Sequence, residues 1–186
     1  MKTTIVEILG MVLFVGGACA QGQVNFVNLN AAAGVNAPVY LPDYTSKLTG
    51  PAWMAGLFAG STSTSLTYIG NATPFLTGGG AGYFSGGTTT LAGIPGGTLA
   101  WLQVAVWDSS LNGTTTGATW PQAMAFAGLW GMSGLFSVVV SDPTTSPPQT
   151  PAPLVGLQPF ALMPEPSALS LAGLGLAGLL LFRRRK

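Results

Sequence analysis

Short apolar runs, each closed by glycine, proline, asparagine or a serine and threonine cluster, fill the chain between residues 21 and 163. Short runs at regular spacing, with turn signals between them, are typical of all-β sandwiches and barrels. The runs that we interpret as strands are residues 23–28, 38–41, 52–60, 66–70, 81–85, 88–93, 98–108, 134–140 and 154–162. The sequence therefore predicts an all-β body, folded as an antiparallel β-sandwich of jelly-roll type.

The clearest strand pattern covers residues 99–107. Alternation places Leu102, Val104 and Val106 on one face and Trp101, Gln103, Ala105 and Trp107 on the other. Because both faces are mainly apolar, we expect this strand to lie centrally in the sandwich, with Trp101 and Trp107 in the core.

Two segments depart from the strand pattern. Residues 119–134 have apolar side chains at helical spacing, which predicts one short helix. Residues 143–153 are rich in proline and predict an extended linker or sheet-edge crossing between the body, residues 21–142, and a last strand within residues 154–163.

Charged side chains are rare in the body, which contains only Asp43, Lys47, Asp108 and Asp142. One lysine cannot form the basic patch that meets phosphates, so nucleic-acid binding is excluded. The polar surface is instead supplied by uncharged side chains, those of serine, threonine, asparagine and glutamine. Few charged side chains are present to prevent pairing between exposed sheet edges, so we also expect self-association.

Residues 1–20 read as a secretory signal peptide, with an apolar run at residues 8–18 followed by small residues. Ala18 and Ala20 fit the A-x-A rule for cleavage. Alternatively, Cys19 would carry a lipid, although that motif wants an aliphatic residue three positions upstream, where a glycine stands. After cleavage the exported protein lacks cysteine, so its fold depends on its core without disulfides.

Residues suited to catalysis are scarce. The chain has no histidine, which removes the commonest general base and zinc ligand. Asp43, Asp108 and Asp142 are the body's only carboxylates, and each stands beside a turn signal, where Asp binds its own main chain. Residues 108–113 resemble the first half of a calcium loop, but Thr119 stands where a bidentate glutamate is needed. We therefore predict no catalytic residues, no metal site and no cofactor.

Tryptophan offers a different kind of site, because aromatic rings stack against sugars and also fill cores. Trp53, Trp120 and Trp130 lie outside the predicted central strand. They are the candidate carbohydrate contacts.

The carboxy-terminal segment combines an apolar run with a basic end. Residues 168–182 carry no charge and would span about 22 Å as a helix, against about 30 Å for a bilayer core. The run is followed by Arg183, Arg184, Arg185 and Lys186. Cations at this place fit the positive-inside rule, which predicts a transmembrane helix with the body on the far side.

Pro164, Glu165 and Pro166 precede the apolar run. This order of motif, short Gly- and Leu-rich helix and basic end resembles the PEP-CTERM sorting signal of Gram-negative bacteria, over residues 164–186. The resemblance implies that an exosortase, a membrane-embedded processing enzyme, recognises the three motif residues and removes the tail. Before processing, the tail would hold the protein in the inner membrane. It further implies a final place in the envelope or extracellular matrix, associated with exopolysaccharide and biofilm.

Three functions remain open at this point. We expect a non-enzymatic structural or adhesive protein of the cell surface or matrix. An envelope-held carbohydrate-binding module would instead show exposed aromatics clustered in one patch. A polysaccharide-degrading enzyme would need two of the three aspartates within about 5 to 10 Å of each other in a cleft.

Overall fold

A computed structural model of the protein describes residues 20–110, 119–125 and 129–163. In these ranges the strands are β1 Gln21–Val27, β2 Leu29–Asn30, β3 Val35–Asn36, β4 Val39–Tyr40, β5 Trp53–Gly60, β6 Thr67–Pro74, β7 Ser85–Pro95, β8 Leu99–Asp108, β9 Trp130–Met132, β10 Phe136–Val139, β11 Ala152–Pro153 and β12 Phe160–Ala161. One short helix, α1, spans Trp120–Ala125, and single 3₁₀ turns lie at Ala31–Ala33 and Gly78–Gly80. The mostly β body and the short helix were both predicted.

The strands form two larger open sheets. A three-stranded sheet has the order β11-β1-β7, and a five-stranded sheet has the order β10-β8-β5-β6 with β9 also paired to β8. The remaining sheets in the described part of the chain are two strand pairs, β12-β4 and β2-β3. The predicted fold class is confirmed at this level, and the jelly-roll form stays a prediction.

One hydrophobic core lies between the two larger sheets. It is built from the inward side chains of strands in both sheets, including Val24, Phe26, Leu57, Leu91, Leu102 and Val104, all nearly inaccessible to solvent. Alternating strands bury one face in this way because successive side chains point to opposite sides.

Strand β8 lies at the centre of the five-stranded sheet, between β5 and the pair β9 and β10. Its residues Leu102, Val104 and Val106 enter the main core, whereas Ala105 and Trp107 belong to a second cluster on the opposite face. The predicted central position is therefore confirmed, and so is the burial of Trp107.

Two strand pairs contradict a wholly antiparallel arrangement. Strand β11 runs parallel to β1, and β12 runs parallel to β4. Both strands come from the Pro-rich segment and the residues after it, where the chain runs back along edges that the antiparallel strands leave open. Proline is tolerated there because an edge position does not need every N–H in the ladder.

Strand β7 is longer than the sequence suggests. Residues 81–85 and 88–93 were predicted as two separate strands, yet one strand runs from Ser85 through Gly86 to Pro95. A Cβ atom at Gly86 would lie 2.6 Å from Cδ1 of Phe26. This glycine therefore permits a close approach between strands, at a register shift in the β1–β7 ladder.

Candidate functional site

The outward face of the five-stranded sheet carries an aromatic cluster. Strands β5 and β6 place Phe58 and Tyr68 side by side, with ring centroids 5.3 Å apart. Helix α1 adds Trp120, whose ring meets those of Phe58, Trp107 and Trp130 at 5.9, 5.7 and 5.6 Å in edge-to-face geometry. Such contacts stabilise the packing of aromatic rings beyond the area that they bury.

This packing changes the assignment of the predicted carbohydrate contacts. Trp120 is only 7% exposed and has rings on three sides, so it is a packing residue and the interpretation of it as a contact is wrong. Trp53 is partly buried against the main core, and Trp130 is partly buried within the cluster. None of the three presents a fully open ring.

A more accessible group of residues shares Phe58 and Tyr68 with this cluster and extends along the same face. In one cross-strand row Phe58 stands between Tyr68 on β6 and Gln103 on β8. In the next row Trp101 stands between Gly60 and Ser137. We call this group, Tyr68, Phe58, Gln103, Trp101 and Ser137, the outer aromatic strip.

The strip combines partly exposed rings with neutral polar groups. Tyr68 is 38% exposed, and Phe58 and Trp101 are partly exposed. The side-chain amide of Gln103 donates to the main-chain oxygen of Ser133 at 2.8 Å, which orients it on the sheet. Burial raises the pKa of the Tyr68 hydroxyl, so this phenol stays neutral. Rings flanked by amide and hydroxyl groups offer both stacking and hydrogen bonding without charge.

Trp101 was predicted to be core, and this assignment is wrong. The alternation of β8 does place it on the same face as Trp107, as expected. Its exposure comes from its neighbours, because Gly60 and Ser137 are too small to cover the ring. These two neighbours lie on β5 and β10, which are distant from Trp101 in sequence, so the pattern of β8 alone could not predict the exposure.

The three aspartates serve their own turns, as predicted. The carboxylate of Asp43 accepts bonds from the Ser46 hydroxyl and from the N–H groups of Thr45 and Ser46. These bonds, with those from Ser46 the strongest, lower the pKa of Asp43 to about 2. The carboxylate of Asp142 accepts from the hydroxyl and N–H of Thr144, which lowers its pKa.

Asp108 has a similar local role, since it accepts from the N–H and hydroxyl of Ser110. Asp108 is the last residue of β8. Asp142 lies three residues after Val139, and Val139 pairs with Leu99, the first residue of β8. A strand of ten residues is about 30 Å long. These two carboxylates are therefore too far apart for the paired chemistry of a glycosidase. Among the described residues, no group of three metal-ligating side chains comes together.

The other large sheet presents a polar outward face. Gln23 and Asn25 on β1 lie opposite Thr90 and Thr88 on β7. These amides and hydroxyls carry no charge. The surface is therefore solvated in a way that salt and pH hardly change.

The predicted sorting and cleavage residues fall mostly outside the described ranges. This applies to Ala18, to the motif Pro164, Glu165 and Pro166, to the apolar run at residues 168–182, and to Arg183, Arg184, Arg185 and Lys186. Ala20 is described, and its carbonyl oxygen accepts from the N–H of Gly96 at 2.8 Å. Strand β1 starts at the next residue. The described part of the chain contains no helix of the length and apolarity that a membrane crossing requires.

Comparison with known proteins identifies the carboxy-terminal segment. Residues 164–186 match the family model described as the PEP-CTERM protein-sorting motif. This match confirms the resemblance drawn from the sequence, and it supports an exported protein that an exosortase sorts. No curated protein and no solved structure matches the chain.

Proposed function

We propose that the protein is a non-enzymatic structural or adhesive component of the cell surface or extracellular matrix, delivered there by exosortase processing and associated with exopolysaccharide. The sorting motif at residues 164–186 carries the part of this proposal that concerns delivery. The body supports the rest, because it presents neutral amides and hydroxyls and uses its three aspartates in turns.

Delivery is tested by replacing the acidic residue of the motif. In the producing host, we expect the native protein to lose the residues after Pro-Glu-Pro and to reach the surface or matrix. The Glu165→Ala variant should stay full length in the membrane fraction. Gln158→Ala, at an exposed amide six residues before the motif, is the matched control and should be processed normally. Intact mass and cell fractionation report both outcomes, and equal processing of all three proteins would refute the proposed route.

The second candidate function is an envelope-held carbohydrate-binding module, which the outer aromatic strip favours. Its partly exposed rings and neighbouring amide and hydroxyl groups lie on one sheet face. A ring that stacks against a sugar contributes on the order of 1 kcal/mol, which corresponds to several-fold in affinity.

The binding test uses Trp101 at the centre of the strip. We expect Trp101→Ala to weaken binding to neutral exopolysaccharide from the producing cells by several-fold to about tenfold. Leu99→Ala removes an exposed apolar side chain, 49% exposed, from the same face of the same strand. It should leave binding unchanged. Equal binding by the Trp101→Ala variant and the native protein would exclude the strip as the contact and leave the delivery proposal intact.

A further inference from the structure

The last described residue of the body lies on the outward face of the five-stranded sheet. Met163 forms an antiparallel bridge with Trp130 and donates its N–H to the main-chain oxygen of that residue at 3.1 Å. The preceding residue, Leu162, is buried in the main core. Because side chains of an extended chain alternate, Met163 points to the opposite face. Its side chain is 64% exposed there.

Met163 extends a row of apolar side chains across this sheet. Directly opposite residues of antiparallel strands project to the same face. From β5 through β8 and β9 to the end of the body, the row is Met54, Trp107, Trp130 and Met163. Helix α1 packs on the same face through Trp120, and its Met124 is 46% exposed. We call Trp130, Met132, Met163 and Met124 the exit face, because the chain leaves the described body there.

The exit face is apolar and nearly free of charge. The strands β5, β8 and β9 and helix α1 contain one charged residue, Asp108. The alternation of β8 assigns Asp108 to the other side of the sheet, and its carboxylate accepts from Ser110. Methionine is flexible and polarisable, so it adapts to irregular apolar surroundings. Exposed apolar surface of this kind marks contact with another protein or with a membrane.

The length of chain after Met163 decides which of these partners reaches the exit face. The uncharged run of the sorting segment begins at residue 168, five residues later. Five residues span at most about 18 Å even when fully extended, and the headgroup layer of a bilayer takes up about 5 to 8 Å of that distance. While the run is held in a membrane, the exit face therefore cannot move far from the lipid surface.

We propose that the exit face rests on the lipid interface of the membrane that holds the tail, until exosortase processing releases the body. This inference rests on the proposed route of delivery. Tryptophan is enriched at membrane interfaces, where its ring lies at the level of the headgroups. Because the elements that build the face carry no lysine or arginine, the contact does not require anionic lipid.

Fluorescence quenching by lipid tests the contact. The protein is the Glu165→Ala chain, which should retain its tail, isolated from host membranes in a Cys19→Ala background and placed in phosphatidylcholine vesicles. The Met124→Cys variant carries a fluorophore on the exit face. The control, Thr90→Cys, carries it at an exposed position of the three-stranded sheet. Nitroxide groups on the lipid headgroups should quench the probe at residue 124 several-fold more than the probe at residue 90. Equal quenching at both positions would refute the contact.

Flotation of the vesicles separates this proposal from the one on which it rests. A chain that does not float with the vesicles would refute the membrane-held tail, and the exit-face contact with it. A chain that floats, but whose probe at residue 124 is quenched no more than the probe at residue 90, would refute the exit-face contact alone.

A charge placed on the exit face tests whether its apolar character matters. Met163→Glu adds a carboxylate at an exposed position, so the fold should persist, but lipid quenching at residue 124 should fall to the level at residue 90. Val155→Glu is the matched control, since Val155 is 52% exposed and follows β11 of the other large sheet. It should leave the quenching unchanged. Unchanged quenching in the Met163→Glu variant, or an equal loss in both variants, would overturn the proposal.

Discussion

Asn28 is the buried polar residue whose loss should cost the most stability. It has no solvent exposure, and its side-chain amide donates to the carbonyl oxygens of Ala37 and Gly82 at 2.8 and 2.9 Å. The oxygen of the same side-chain amide accepts from the N–H of Phe84 at 2.7 Å. One side chain therefore ties together three segments of the chain that are far apart in sequence.

The expected cost of Asn28→Ala follows from these three bonds. Each is worth about 1 to 1.5 kcal/mol net, and the change leaves three main-chain groups buried without this partner. We expect the free energy of unfolding to fall by about 3 to 5 kcal/mol, a large share of the 5 to 15 kcal/mol that is typical of a domain. Because the cost arises in the folded state, the dependence on denaturant should not change.

Urea unfolding followed by tryptophan fluorescence measures this difference. Asn36→Ala is the matched control, since Asn36 is exposed and accepts a single bond from the Tyr83 hydroxyl at 2.8 Å. It should cost less than about 1 kcal/mol. If Asn28→Ala cost no more than this control, the three bonds would not contribute as their geometry indicates.

Three further predictions concern separate features of the body. Thr89→Val keeps the shape and removes a buried hydroxyl that has no hydrogen-bond partner among the described residues, so it should stabilise the protein by about 1 kcal/mol in urea unfolding; a loss of stability would contradict this. Gly22→Ala should destabilise by about 1 to 3 kcal/mol, because its Cβ would lie 2.8 Å from Cβ of the buried Val140. Gly79→Ala, with open space around it, should stay near neutral on the same assay. The carboxyl of Asp43 should titrate near pH 2 by NMR, so the stability that it contributes is complete above its ordinary pKa of 3.8 and is lost as the pH falls toward 2; a midpoint near 3.8 would contradict the hydrogen bonds of its turn.

Local patterns predicted the parts of the fold that depend on local rules. The alternation of residues 99–107 identified a central strand and its two faces, because side chains on a strand alternate whatever their partners are. The turn role of Asp43 and Asp142 followed from neighbouring turn residues. The sorting motif could be recognised from the sequence for the same reason, since it is a contiguous segment.

Features that depend on residues distant in sequence could not be predicted from local patterns. Asn28 stood at the end of a predicted strand, where asparagine is ordinary, and its importance comes from partners 9, 54 and 56 residues away. Trp101 lies on the predicted face, but it stays partly accessible because its cross-strand neighbours are Gly60, which has no side chain, and the small Ser137. The parallel pairing of β11 likewise depends on where the Pro-rich segment meets β1.

The scarcity of charge connects the fold with the proposed location. A body with one lysine and three aspartates is solvated mainly by amides and hydroxyls, so ionic strength has little influence on it. Such a surface also lacks the like-charge repulsion that keeps copies apart, and on β7 it lacks a charged residue at the edge. Copies of such a protein associate more readily when their local concentration is high. Delivery to a surface would bring many copies close together, so the self-association expected from the uncharged sheet edges should occur there first.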